Sequence, residues 1–231
     1  MLGLGASLSS SGTVLSSGFS TPADLNGIEH WFKHNTGITH NAGSPDFKVT
    51  QWDDQINSKH WLASVNNPLY DPTTGTIYAS GGSKVMITTG GTGSDISLDG
   101  DFAVYVRIKF VAVNNLLDLF FKDTEQDDHF MRIQNSTTIR AKINSGNMEY
   151  TIPTLGTSAF YNIGIERIGT DVNVYVDGTV SSTGAITNSE TWLIDTLKAG
   201  QQDYFSTMII VKGSGLSTAD RASLETYLAN L

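Results

Sequence analysis

Along "DFAVYVRIKF", Phe102, Val104, Val106, Ile108 and Phe110 fall on one side of an extended chain, with Tyr105, Arg107 and Lys109 on the other. A period of two marks a half-buried β-strand, so this segment predicts a strand with one face in a core. "ERIGTDVNVYVDGTV" repeats the pattern with Val172, Val174 and Val176 on one face and Asn173, Tyr175 and Asp177 on the other. Asp177-Gly178 then supplies the positive φ of a two-residue turn, which predicts a hairpin. "LLDLFF", "HFMRIQ", "TTIRAKI", "MEYTI", "FYNIGIERI", "WLIDTLKAG" and "FSTMIIVK" are further short segments parted by Asn, Gly, Asp or Ser. Many short strands at such spacing predict an antiparallel sandwich or barrel.

Elsewhere the pattern is less regular. "GTIYASGGSKVMITTGG" predicts two short strands, Ile77 to Ala79 and Lys84 to Thr88, separated by a Gly-Gly-Ser turn. Between residues 27 and 64, aromatics, His and Asn mix with turn residues, predicting irregular loops around short strands with Trp31, Trp52 and Trp61 as anchors. The period lengthens only at the end, in "LSTADRASLETYLANL". There Ser217 is placed to cap a helix, Asp220 sits at its third position, and Leu224, Tyr227 and Leu228 form one stripe.

Composition narrows the function classes. The chain has 231 residues, enough for one large β domain, and no cysteine, which removes disulfides, thiolate metal sites and cysteine nucleophiles. Its formal charge of −9 repels phosphate backbones, and Lys and Arg appear scattered singly without aromatic-basic interleaving, so no nucleic-acid partner is expected. No apolar run approaches the roughly 20 residues of a membrane span, so no membrane partner is expected either. "MLGLGASLSSSGTVLSSGFSTPADL" has no charged side chain before Asp24 and so lacks the basic region of a signal peptide. Gly and Ser cost much entropy to order, so an arm flecked with apolar residues is expected to order against a partner surface. Residues 1–25 are therefore read as an extended docking arm and 26–231 as the folded domain, with Met1, Leu2, Leu4, Leu8, Val14, Leu15 and Phe19 as the docking side chains.

Several of these segments resemble a known family. "WFKHNTGI", "VTQWDDQINSKH", "GTIYASGGSKVMIT" and "FYNIGIERIGTDVNVYVDGTVSSTG" are similar to the concanavalin A-like or laminin G-like jelly roll, over about residues 28–230. The closing helix resembles the one that ends laminin G-like modules in virion proteins of tailed phages, and "MLGLGASLSSSG" is similar to the start of structural proteins from marine phages. The resemblance implies an all-β antiparallel sandwich with a short C-terminal helix, in which the Val172–Val176 hairpin is scaffold.

Candidate chemistry is thin. Glycoside hydrolases of this fold carry a Glu-x-Asp-x-x-Glu strand; here Glu125 and Asp127 fit, but Phe130 stands where the second Glu belongs, so no enzyme activity is expected. No cofactor is expected, and calcium is the one metal for which the loops offer ligands. The richest set is Asp123, Glu125, Asp127 and Asp128, with Asp53–Asp54 and Asp99–Asp101 as lesser pairs. The histidines lack regular ligand spacing. Tyr70, Tyr78, Tyr150 and Trp192 are the aromatics that could stack on a sugar.

The leading expectation is a non-enzymatic phage virion protein on the particle exterior, a capsid decoration protein bound to the major capsid protein or other virion subunits. Self-association into a homo-oligomer fits such a role. The alternative is a tail or fibre module that binds a host-surface glycan.

Overall fold

The computed structural model describes residues 18–41, 43, 47–64, 67–78, 85–90, 94–113, 118–123, 125, 128–144, 146–198, 203–213 and 215–231. The first of two antiparallel sheets runs, edge to edge, through Thr179–Val180, Asp171–Val176, Phe160–Ile168, Phe102–Lys109, Tyr204–Lys212, Thr76–Tyr78 and Leu69–Asp71. Ile28–Phe32 pairs with Tyr204–Lys212, and Ile186–Thr187 with Asp171–Val176. The second runs through Gly146–Thr151, Thr138–Ile143, Phe130–Asn135, Asp118–Lys122, Thr196–Lys198, Val85–Thr88, Trp61–Ala63, Val49–Trp52 and Ile38–His40. A small pair, Trp192–Ile194 with Ile96–Leu98, stands apart. The fold is the all-β sandwich expected, with one α-helix among the described residues, Thr218–Ala229.

Alternation explains the layering. Val104 lies opposite Ile165 on one side and Ile210 on the other, and Val106 opposite Ile163 and Met208, so one side of the first sheet is continuous hydrocarbon. These side chains meet Met131, Ile133, Ile139, Ala141, Met148 and Tyr150 from the second sheet in one buried core. Burial of each contributes about 1.5–3 kcal/mol before chain entropy is counted. The hairpin forms as predicted: Val172, Val174 and Val176 point into this core, and Asp177 and Gly178 have φ of 47° and 73°.

The expectation that Phe102–Lys109 has one buried face needs correction. Ala103 and Tyr105, on its other face, are also buried, because the helix lies across them with Leu224 and Leu228. Ser217 caps that helix as predicted: its hydroxyl accepts from the Asp220 amide at 3.1 Å and donates to Oδ2 of Asp220 at 2.7 Å. Arg221 anchors the helix to the sheet through both oxygens of Glu166, at 2.8 and 2.5 Å, and the Tyr105 hydroxyl donates to the same carboxylate at 2.7 Å. Gly164 makes this possible, since a Cβ there would lie 2.4 Å from the Tyr105 ring.

The two short strands expected around residues 77–88 form as Thr76–Tyr78 and Val85–Thr88, and they lie in opposite sheets. Of the predicted arm, residues 1–17 lie outside the described residues, whereas the remainder packs on the helix side. Phe19 meets Tyr227 edge-on at 6.5 Å, Pro22–Asp24 form a 3-10 turn, and Leu25 is buried. Among the described residues no helix is long and apolar enough to cross a membrane.

Candidate functional site

Strands Phe130–Asn135, Thr138–Ile143 and Gly146–Thr151 bury every second residue, so the residues between them form the outer face of the second sheet. Register sets their neighbours. Arg132 lies directly opposite Arg140, which lies opposite Glu149; in the adjacent row Lys122, Phe130, Lys142 and Asn147 follow one another across four strands. Phe130, Arg132, Arg140, Lys142 and Asn147 thereby line an open groove of about 410 Å³. The expectation that basic residues are scattered singly is therefore corrected: strand pairing collects them. The signal was present, since pairing "HFMRIQ" with "TTIRAKI" as a hairpin puts one arginine against the other.

The charges in this groove are unevenly matched. Lys142 contacts the Asp128 carboxylate, and Arg140 donates from Nε to Asn147 at 2.6 Å with Glu149 at 3.4 Å. The Arg132 guanidinium lies 4.8 Å above the Phe130 ring, and its Nε is buried without a hydrogen-bond partner, as is Oε1 of Gln134. Burial lowers the pKa of Arg132, and repulsion from Arg140 lowers it further, against the pull of Glu149. Like charges directly opposite in a sheet are destabilising, so the site is arranged to gain from an anion.

A second cluster lies where the small strand pair meets the second sheet. Asp95, Asp123 and Asp195 bring carboxylate oxygens within 4.8 Å of one another. Asp123 and Asp195 are buried, and Asp95 is partly so. Oδ1 of Asp123 accepts from the Glu125 amide at 2.8 Å, and Oδ1 of Asp195 from the Thr196 hydroxyl at 2.7 Å. Burial raises the pKa of Asp95, and repulsion from Asp123, Asp195 and Glu125 adds to this, while Lys59 opposes it.

The structure disperses the sequence-predicted site residues. Of the calcium set, Asp123 joins Asp95 and Asp195, which sequence reasoning missed. Glu125 is exposed, Asp128 turns to Lys142, and Asp127 lies outside the described residues. Of the lesser pairs, Asp54 is buried against His30 at 2.6 Å, Asp99 pairs with Lys212, and Asp101 accepts from the Gly169 amide. Tyr150 and Trp192 are wholly buried and cannot stack on a sugar, because both fill the core between the sheets. Tyr70 stacks on His40 at 5.0 Å and Tyr78 on Tyr204 at 4.5 Å, so the four aromatics form no common platform. Of the docking residues, Phe19 packs on Tyr227, and Met1, Leu2, Leu4, Leu8, Val14 and Leu15 lie outside the described residues.

No protein-family model and no curated protein sequence matches the chain. Among solved structures it is similar to the Trypanosoma rangeli sialidase, with TM-score 0.56 at 10% identity over 93% of this chain and 36% of that one. An arabinofuranosidase complexed with arabinofuranosyl-alpha-1,2-xylobiose gives TM-score 0.55 at 14% identity, covering 78% of this chain and 50% of that one. The botulinum neurotoxin serotype D binding domain gives 0.52 at 11% identity, covering 85% and 51%. The chain spans about a third to a half of the length of these proteins. At such identities the likeness establishes the fold: a β-sandwich of the concanavalin A-like type.

Proposed function

We propose that this chain is a non-catalytic binding module whose outer sheet face takes an acidic glycan. The observation that carries the reading is Arg132: a part-buried guanidinium that lines the groove opposite a second arginine, stacked on Phe130, with its buried Nε unpartnered. A planar guanidinium suits bidentate bonding to a carboxylate or sulfate, and an adjacent aromatic ring suits a sugar face. Fold-level likeness to sandwiches in a sialidase, an arabinofuranosidase and a toxin binding domain agrees with a sugar ligand without specifying one.

The particle-exterior role that the phage resemblance implies is kept as the setting. The described end of the N-terminal segment packs on the helix covering the first sheet, whereas the basic groove is on the outside of the second. An arm docked on one side leaves the groove open on the other. In this setting the segment before Gly18 holds the module to a virion subunit, and deleting residues 1–17 abolishes particle binding while leaving glycan affinity intact.

The test is calorimetric titration of the full chain with sialylated, uronic and sulfated oligosaccharides beside neutral ones of equal length. Acidic sugars bind, and Arg132→Gln weakens them by about tenfold or more, as expected for a charge-assisted bond. Equal binding of neutral sugars, or an Arg132→Gln variant that binds as well as the parent, removes the proposal. Preferential binding of duplex DNA in the same groove replaces it with a phosphate reading.

A further inference from the structure

We propose that Asp95, Asp123 and Asp195 bind a calcium ion that ties the small strand pair to the second sheet. The ligands come from three separate segments: the residue before Ile96–Leu98, the residue after Asp118–Lys122, and the link between Trp192–Ile194 and Thr196–Lys198. Nothing local in the sequence joins them. Their oxygens lie within 4.8 Å of one another, and ligands on opposite sides of an ion with Ca–O of about 2.3–2.6 Å are about 4.6–5.2 Å apart. An all-oxygen carboxylate set suits a hard cation and offers nothing to a soft one.

The second observation is independent of the clustering. Asp123 is 1% exposed, and its Oδ2 is buried with no hydrogen-bond partner; Oδ1 of Asp95 is in the same condition. A buried carboxylate oxygen without a partner is costly, and an ion is one of the few ways to satisfy it. Lys59 offsets part of the charge of Asp95 while its ammonium donates to the Ser94 hydroxyl at 3.1 Å, and the buried Oδ2 of Asp123 stays without a hydrogen-bond partner. Glu125 adds a further negative charge nearby. Entry is available from one side, because Asp95 also lines an open cleft of about 650 Å³ with Glu29, Lys59 and Ser97.

This inference does not rest on the glycan reading, and its test uses no sugar. The full chain, stripped of metal by chelation, is melted with calcium, magnesium or manganese chloride alone. Calcium at about 100-fold above its Kd raises Tm by roughly 5–10 °C. The double variant Asp123→Asn/Asp195→Asn shows no such rise and in chelated buffer melts no lower than the parent, whereas the exposed control Asp171→Asn keeps the full response. In parallel, terbium luminescence is excited through tryptophan, with Trp192 three residues from Asp195 as the donor. Calcium displaces it. No shift with any of the three salts, a response to magnesium alone, or an equal response from the double variant overturns the proposal. Should that variant fail to fold, terbium emission from the parent that calcium cannot displace overturns it equally.

Discussion

On the outside of the first sheet, Glu166 is a buried carboxylate held by both arms of Arg221 and by the Tyr105 hydroxyl. On the outside of the second, Arg132 stands opposite another arginine with its Nε unpartnered. Both sheets give their inner faces to one core, yet among the described residues one outer face is closed by a helix whose Arg221 compensates Glu166, while the other carries no helix. A compensated charge is spent on holding the fold together. An uncompensated one on an open face is available to a ligand, and the difference is testable because the two charges should respond to removal with opposite sign.

The largest effect is expected at the closed face. Arg221→Met strands the Glu166 carboxylate and should cost about 3–5 kcal/mol, with Glu166→Gln in the same chain restoring most of it. Urea unfolding of the two variants reads this directly; equal stability of both would mean that the pair is not coupled. Gly164→Ala comes next, at about 1–3 kcal/mol, because the Cβ displaces the phenol that completes the network. A chain that tolerates alanine there without loss in thermal unfolding would contradict the close approach.

Glu225, on the same helix, gives a pH handle. Burial pushes its pKa up to about 7, and Asp177 and Glu166 push in the same direction, against the Asn162 amide and the Gly178 backbone. A carboxyl whose folded pKa is raised binds more protons folded than unfolded. Stability therefore falls as pH rises from about 4.5 towards 7 and levels off above. The residue is partly exposed although its Oε1 is buried without a hydrogen-bond partner, so the loss is about 1–3 kcal/mol. Denaturation midpoints at pH 5 and pH 8 measure it, and Glu225→Gln should flatten that part of the curve; an unchanged slope in the variant assigns the effect elsewhere.

The smallest effect is expected at the open face and carries the opposite sign. Arg132→Gln relieves the arginine pair and should be neutral or stabilising by about 0.2–1 kcal/mol in the absence of ligand. A loss as large as that of Arg221→Met would make Arg132 a structural residue and erase the contrast between the faces.

Where local chemistry decides, the residues were readable in advance. Val172, Val174 and Val176, the Asp177-Gly178 turn, and the Ser217 cap with its Leu224–Leu228 stripe all follow from side-chain period, positive φ and capping. These depend on neighbours within a few positions. Trp192 and Tyr150 were misread as exposed stacking planes because an aromatic in a short strand has the same appearance whether it faces the core or solvent. That Thr76–Tyr78 and Val85–Thr88 belong to opposite sheets was not legible, because proximity along the chain is a weak guide when two sheets compete for each strand.

By itself, then, the sequence determined an antiparallel β chain ending in a helix, since periods of two and of nearly four are written residue by residue. Tertiary structure alone decided what the charges do. It set Arg132 against Arg140 but gave Glu166 an arginine from a helix 55 positions away, and it drew Asp95, Asp123 and Asp195 together from three strand ends. Coulomb energy depends on distance in space and on the surrounding medium, and neither is encoded in the spacing of residues along a chain.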